Sequence, residues 1–352
     1  MTRAGRLVLT AGLTLGLAGA AALVGGTYLL DRPGPPLSAP VTVTVNEGER
    51  FAEIAADLRR QGVLRHPLLL VVWARLTGQD RMVHWGEYLL TTPLSPRELL
   101  ARVTGPPDPL HALTIPEGFT VQQVLALLAS SGFGSEESFR CLLDDPAFLA
   151  AHDLPPGGAE GYLFPDTYAF PLATPQERIL GSMLKRFRDV AGPAFAHGAA
   201  AVGLSEHQAV TLASLIEEET ARADERRLVA AVFLNRLRQG MPLQSDPTVL
   251  YGRDRGSPGS SRALSHADLH HPTPYNTYTI PGLPPAPIAN PGRDALLAAV
   301  DPAPVDYLYF VARGDGSHEF STTLTAHNAA VARYATRDRV SGRRRRASVK
   351  RQ

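Results

Sequence analysis

The spacing of apolar positions along the chain predicts its elements. Leu7 to Leu30 runs for 24 positions without a charge, and about 20 residues at ~1.5 Å each cross a bilayer core. Val41–Val45 alternates Val and Thr, the pattern of a strand. Phe51, Ile54, Ala55 and Leu58 stand at i, i+3, i+4 and i+7, one face of a helix over Phe51–Gln61. A more apolar helix over Pro67–Leu76 and a strand over Trp85–Leu90 follow. Ser95 then caps a helix to Val103, with Pro96 at its first position. Residues 41–105 read as a βααβ-like unit the size of a binding module. Further on, Leu113–Ile115 reads as a short strand and Val121–Ala129 as a helix. Helices over Gln176–Val190, Glu206–Thr220 and Arg226–Arg238 follow, the last opened by Asp224. Tyr307–Val311 reads as a buried strand and Ala326–Ala335 as the last helix. Between the helix ending at Arg238 and that strand, Gly240–Pro291 is dense in Pro, Gly, Tyr and Asn and has little periodicity. Such a stretch inside a domain is functional or disordered, and its repeated aromatic and amide residues point to a binding surface. The expected class is α+β, with no internal repeat.

Composition narrows the function classes. A chain of 352 residues suggests two or three domains, and 44% hydrophobic with 20% charged residues is globular. The net charge of +1 gives no basis for nucleic-acid binding by the whole chain. Cys141 is the single cysteine, so an intramolecular disulfide framework and a Cys-rich zinc site are excluded. Lys185 and Lys350 are the only lysines among 35 basic residues, so arginine richness reflects a compositional bias. The charge is uneven, because residues 337–352 carry a net +7 while the body is acidic. Arg3 and Arg6 precede the apolar run, so the positive-inside rule places residues 1–6 in the cytoplasm, 7–30 across the membrane and the rest outside. A cleaved signal peptide competes, since Ala18–Ala22 offers small-residue cleavage sites; the run, however, exceeds the ~7–15 residues of such a segment. Residues 31–40 form a proline-rich spacer. The tail, 336–352, reads as a solvated extension or as an attraction to an anionic surface such as lipid headgroups. An outward topology excludes a nucleic-acid partner for it.

Leu212-Ala-Ser-Leu-Ile-Glu-Glu-Glu-Thr220 is the most informative stretch. Leu212, Leu215, Ile216 and Glu219 share a helical stripe, so Glu219 is expected to point inward. Glu218 falls about 100° away and is expected in solvent, with Glu217 on the flank. A carboxyl continuing an apolar stripe loses water, its pKa rises, and it becomes a general acid at neutral pH. A buried ion pair with an arginine explains the same pattern. Gln244 and Asp246, in a proline-stiffened loop, offer polar side chains that can order Glu219 or meet a ligand, although Asp before Pro is also an ordinary turn former. Tyr251, Tyr275 and Tyr278 offer stacking faces or plain packing. Asn276 and Thr277 either order the backbone or contact a ligand. Glu160 and Asp166 are candidates for the same cleft, although Asp before Thr in a proline turn is equally structural. His318, His327 and His270-His271 lack metal-ligand spacing and read as structural.

Several long motifs in order resemble one family. They are I-E-E-E-T, D-E-R, V-F-L-N-R-L and G-M-P-L-Q-S-D-P-T-V-L-Y-G between Leu212 and Gly252, Glu160-Gly-Tyr-Leu-Phe-Pro-Asp-Thr-Tyr168, Pro274-Tyr-Asn-Thr-Tyr278, Gly282-Leu-Pro-Pro285, Ile288-Ala-Asn-Pro-Gly292 and His318-x-Phe320 with His327-Asn328. Together they are similar to the endolytic murein transglycosylases, the YceG-like membrane-bound enzymes, over about 41–335. The resemblance implies a LysM-like module at 41–105 and a catalytic domain at 106–335. It places the family's Glu-Thr pair on Glu219 and Thr220. It implies cleavage of the MurNAc–GlcNAc β-1,4 bond of peptidoglycan without water, one glutamic acid serving as acid and then base, and no metal or organic cofactor. Peptidoglycan strands, the cytoplasmic membrane and peptidoglycan synthases are the partners it implies. Glu218 departs from the family, which often has lysine there.

Overall fold

The structure, a computed structural model, describes residues 24–155, 158–172, 174–254 and 263–334. Most of the expected span at Leu7–Leu30 and the whole basic tail lie outside these residues. Among the described residues no helix is long and apolar enough to cross a membrane. The chain forms two compact units, one of residues up to 111 with 169–175, the other of 112–168 and the chain from 176 onward.

In the first unit residues 24–31 are helical (α1). Then come β1 (Val41–Val45), α2 (Phe51–Arg60), α3 (Pro67–Thr77), β2 (Gly86–Leu90) and α4 (Pro96–Thr104). β1 and β2 pair antiparallel, with Val43 opposite Tyr88. Ile54, Leu58, Leu70, Ala74 and Leu99 close the core around Tyr88, whose hydroxyl sits among the carbonyls of His84, Val103 and Gly105. Local chemistry sets the boundaries. Ser95 and Glu98 cap α4 reciprocally, with Pro96 at the first helical position. Gly78, at φ 71°, ends α3 in the left-handed region.

The second unit, with the ends of β3 and β4 at its border, runs through β3 (His111–Thr114), α5 (Val121–Ser130), α6 (Glu136–Asp144), α7 (Pro146–Ala151) and β4 (Thr167–Phe170). β3 pairs with β4, where the hydroxyls of Thr114 and Thr167 meet at 2.8 Å. α8 (Gln176–Ala201) is broken at Gly192, whose φ is 59° and ψ −178°. It is followed by α9 (Glu206–Glu219), α10 (Arg226–Arg238), α11 (Asp246–Asp254), α12 (His266–His270) and α13 (Arg293–Val300). β5 (Tyr309–Ala312) pairs antiparallel with β6 (His318–Ser321), Phe310 opposite Phe320. Residues 324–334 form a last helix, α14. The chain is therefore α+β, as expected.

α9 is the centre of this unit. Every residue from Ala209 to Ile216 is buried, packed by α8, α10 and α13. Leu212, Leu215, Phe233, Leu296 and Phe187 share one core.

Some expectations need correction. Glu225, not Asp224, precedes α10; Asp224 pairs instead with Arg222 at 2.7 Å. The stretch Gly240–Pro291 contains α11 and α12, too short to show a period. The strand expected from Tyr307 starts at Tyr309 and is half-buried. α6, α7, α13 and β6 had no expectation.

Candidate active site

Three successive carboxylates close α9, where the negative end of the helix dipole opposes their charge. The structure gives each a different environment. Glu217 accepts from Arg226 Nη2 at 3.1 Å and from Gly292 N at 2.9 Å, and its side chain is 7% exposed. Arg226 also faces Glu117 at 3.6 Å and Asp294 at 3.7 Å. Glu217 is thus a buried ion-pair member rather than a flank residue. Glu218 touches solvent, as expected. Its carboxyl stands beside Gly118, where a methyl group would lie 2.9 Å from Oε1 and where φ is +78°. Partial loss of water there, then the charges of Glu217 and Glu219, push it up to about 7.

Glu219 is held by Ser245, whose Oγ donates to Oε1 at 2.5 Å. Burial raises its carboxyl above the ordinary range; the Ser245 hydrogen bond opposes this, Asp246 adds to it and His318 opposes it. Glu219 lines an open cavity of about 280 Å³ with Arg236, Gln244, Asp246, Tyr278 and His327.

The loop around Ser245 is stitched to the loop at 273–279. Ser245 N donates to Thr277 Oγ1 at 2.9 Å, and Thr248 Oγ1 lies 2.9 Å from Thr277 Oγ1 and donates to Ser245 O at 2.6 Å. Gln244, at φ 55°, donates its N–H to Thr277 O at 3.2 Å. A glutamine in the left-handed region carries strain that surrounding contacts must hold. Arg236 is one holder. Its Nε donates to Leu308 O at 2.7 Å, and its Nη1 reaches Pro242 O, Leu243 O and Gln244 Oε1 at 3.1, 3.0 and 3.3 Å. Asp246 accepts from Tyr278 OH at 2.7 Å; burial, then this bond, raises the phenol.

Glu160 lines a second cavity with Tyr251. It accepts from Val121 N at 2.9 Å and Tyr251 OH at 3.1 Å. Burial pushes its carboxyl up to about 7, against those two hydrogen bonds and with help from Glu218. The rings of Tyr251 and Tyr275 lie 4.9 Å apart.

Three sequence candidates serve the scaffold instead. Asp166 pairs with Arg186 at 2.7 Å and caps Thr167 N. Asn276 is fully buried, and its Nδ2 donates to the carbonyls of Asp268, Leu269 and His271. Thr220 is buried, and its hydroxyl accepts from Arg222 N at 3.1 Å. Sequence reasoning missed Ser245 and Arg236, and it read His327 as structural. Arg236 left a signal, a lone charge inside Val-Phe-Leu-Asn-Arg-Leu; Ser245 left none. His318 Nδ1 lies 2.6 Å from Glu225 Oε2. His327 reaches the cavity wall, where burial and then Arg236 lower its pKa.

Ser245→Ala removes the hydroxyl that favours the charged form of Glu219. The Glu219 carboxyl should therefore titrate at higher pH than in the parent protein, as read by NMR of labelled glutamate. An unchanged or lower titration point contradicts the assigned bond.

A buried central helix that delivers one held, elevated carboxyl to an open cavity defines a protein equipped for acid–base chemistry at that wall. The sequence places it further. Residues 43–333 match the YceG-like family, and the chain belongs to that family. The endolytic murein transglycosylase of Bacillus subtilis (strain 168) is 32% identical over 341 residues, which cover 89% of this chain and 91% of that relative. The protein of the same name from Streptococcus pneumoniae serotype 2 (strain D39 / NCTC 7466) is 32% identical over 329 residues. The match covers 85% of this chain and 59% of that longer relative. A crystal structure of a yceG-like protein from Listeria monocytogenes aligns with a TM-score of 0.56 and 28% identity, covering 83% of this chain and 99% of that one.

Proposed function

We propose that the chain is an endolytic lytic transglycosylase of peptidoglycan, cleaving the MurNAc–GlcNAc β-1,4 bond. The carrying observation is that Glu219, at the end of α9, is both held by a neutral donor and set in a cavity wall. Glu217 is committed to Arg226, and the neighbouring Asp246 to Tyr278. One carboxyl then works twice. In its acid form Glu219 gives its proton to the glycosidic oxygen, and the C1–O bond breaks. As carboxylate it takes the proton of the muramyl C6 hydroxyl, whose oxygen closes on C1 to give a 1,6-anhydro ring. Ordinary glycosidases end in hydrolysis with a second carboxylate, a nucleophile ~5 Å away or a base for water ~6.5–9.5 Å away. Ser245 occupies Oε1, which leaves Oε2 as the atom that exchanges the proton. The names of the Bacillus and Streptococcus relatives support this reading. Incubating the protein with purified sacculi tests it, since only this reaction releases 1,6-anhydro-muramyl ends.

The reading includes an uncleaved anchor at 7–30 that keeps the rest of the chain outside the cytoplasmic membrane. Its support is the 24-residue uncharged run behind Arg3 and Arg6. Residues 41–105 then act as a LysM-like wall-binding module, which the βααβ order supports. An epitope at the N-terminus should stay with the membrane fraction, protected from external protease that digests the C-terminus. Recovery of a mature protein starting near Ala20–Ala22 shows a signal peptide instead.

A further inference from the structure

The second cavity has no part in the chemistry assigned to Glu219. It measures about 270 Å³ and lies between α5, α6, the turn at 158–160 and Tyr251 of α11. Val121, Leu125 and Leu143 give it an apolar floor. Arg140 and Asp144 stand one turn apart on α6 at its rim, both exposed. Among the described residues neither makes an ion pair. Glu160 lies deeper, fixed by Val121 N and Tyr251 OH.

The two cavities are neighbours on one unit. α11 carries Asp246 in the first and Tyr251 in the second, about 7.5 Å apart along a helix axis. Glu218 acts on Glu160 on one side and feels Glu219 on the other. Their linings differ. The first holds its charges in internal bonds, Arg236 to backbone carbonyls and Asp246 to Tyr278, and that suits a neutral sugar. The second offers one uncommitted cation and one uncommitted anion over an apolar floor. That combination recognises a short peptide carrying both signs.

Resting on the transglycosylase reading, we propose that this second cavity takes the stem peptide borne by the muramyl sugar, Arg140 meeting a peptide carboxylate and Asp144 an ammonium. The peptide leaves the same ring whose C6 hydroxyl faces Glu219. A muramyl unit seated for reaction therefore delivers its peptide close to the neighbouring rim. The apolar floor takes the small alkyl side chains, and Arg140 selects strands whose peptides are still attached.

The test compares two substrates on the full-length protein in detergent, namely glycan strands bearing peptides and strands stripped of them by an amidase. The readout is kcat/KM for release of 1,6-anhydro ends, and its ratio between the two. For Arg140→Ala and Asp144→Asn the ratio should fall by about tenfold or more, the size of a lost charged hydrogen bond. Arg140→Lys should recover part of it, which a folding defect would not allow. A ratio unchanged in both variants overturns the proposal and leaves an ordinary surface crevice. An equal fall on both substrates also overturns it and puts Arg140 against the glycan backbone that the two share. If the parent protein releases no anhydro ends from either substrate, the transglycosylase reading fails first and the peptide subsite with it.

Discussion

Glu219→Gln should leave the fold intact and cut the release of 1,6-anhydro ends by about 10²–10⁴-fold, the usual worth of a positioned general acid–base group. The amide fills the same space, still accepts the 2.5 Å hydrogen bond from Ser245 and loses only the exchangeable proton. Circular dichroism and melting should match the parent protein. Glu218→Gln is the paired control. Glu218 touches solvent, and its charge adds to the elevation of Glu160. Its loss should leave activity within a few-fold and lower the pKa of Glu160, because a like charge that favoured the neutral form is gone. Activity of Glu219→Gln within a few-fold of the parent, or a dead Glu218→Gln, moves the chemistry to the wrong carboxylate.

The second large effect belongs to Arg236. Arg236→Met keeps most of the packing volume and strips four acceptors of their donor, at Leu308, Pro242, Leu243 and Gln244. A hydrogen bond to a charged group contributes about 1.5–3 kcal/mol, and a buried acceptor left unpaired costs about 1–3 kcal/mol. A loss of about 3 kcal/mol or more is therefore expected, and for a unit of this size that lowers Tm by roughly 6–12 °C. Gln244 is freed from its left-handed backbone at the same time, so Ser245 loses its fixed approach to Glu219. Activity of the folded fraction should fall as well. Calorimetry with assays below the new Tm separates the two effects. A Tm within about two degrees of the parent value contradicts the role assigned to Arg236.

Much of the fold was legible because its signals are local. Period and capping gave β1, α2, α3, β2 and α4 within a residue or so, since Ser95 with Glu98 and Gly78 act on their own helices. The end of α9 was legible too, but through an argument the structure modifies. The stripe ending in Glu219 presumed a wet face, and α9 is buried on all sides from Ala209 to Ile216. Glu219 differs from its neighbours through its tertiary partners. Glu217 meets Arg226 nine positions on, and Glu219 meets Ser245 twenty-six positions on. No period or propensity encodes such meetings. The same holds for Arg236 and Leu308, 72 positions apart. Asn276 stayed open between two readings for a related reason, because an amide among tyrosines can order the backbone or meet a ligand until its carbonyl partners at 268–271 are known. Gln244 gave no sign of its positive φ, since glutamine has no preference for that region.

Mass spectrometry of the muropeptides released from purified sacculi bears most directly on the central claim. One carboxyl acting first as acid and then as base closes the muramyl C6 oxygen onto C1. The products should then carry 1,6-anhydro-MurNAc ends, appear as internal fragments of the strands and vanish with Glu219→Gln. Reducing muramyl ends that incorporate solvent oxygen would instead show that water attacks with help from a second acid such as Asp246, and the single-carboxyl mechanism would be wrong.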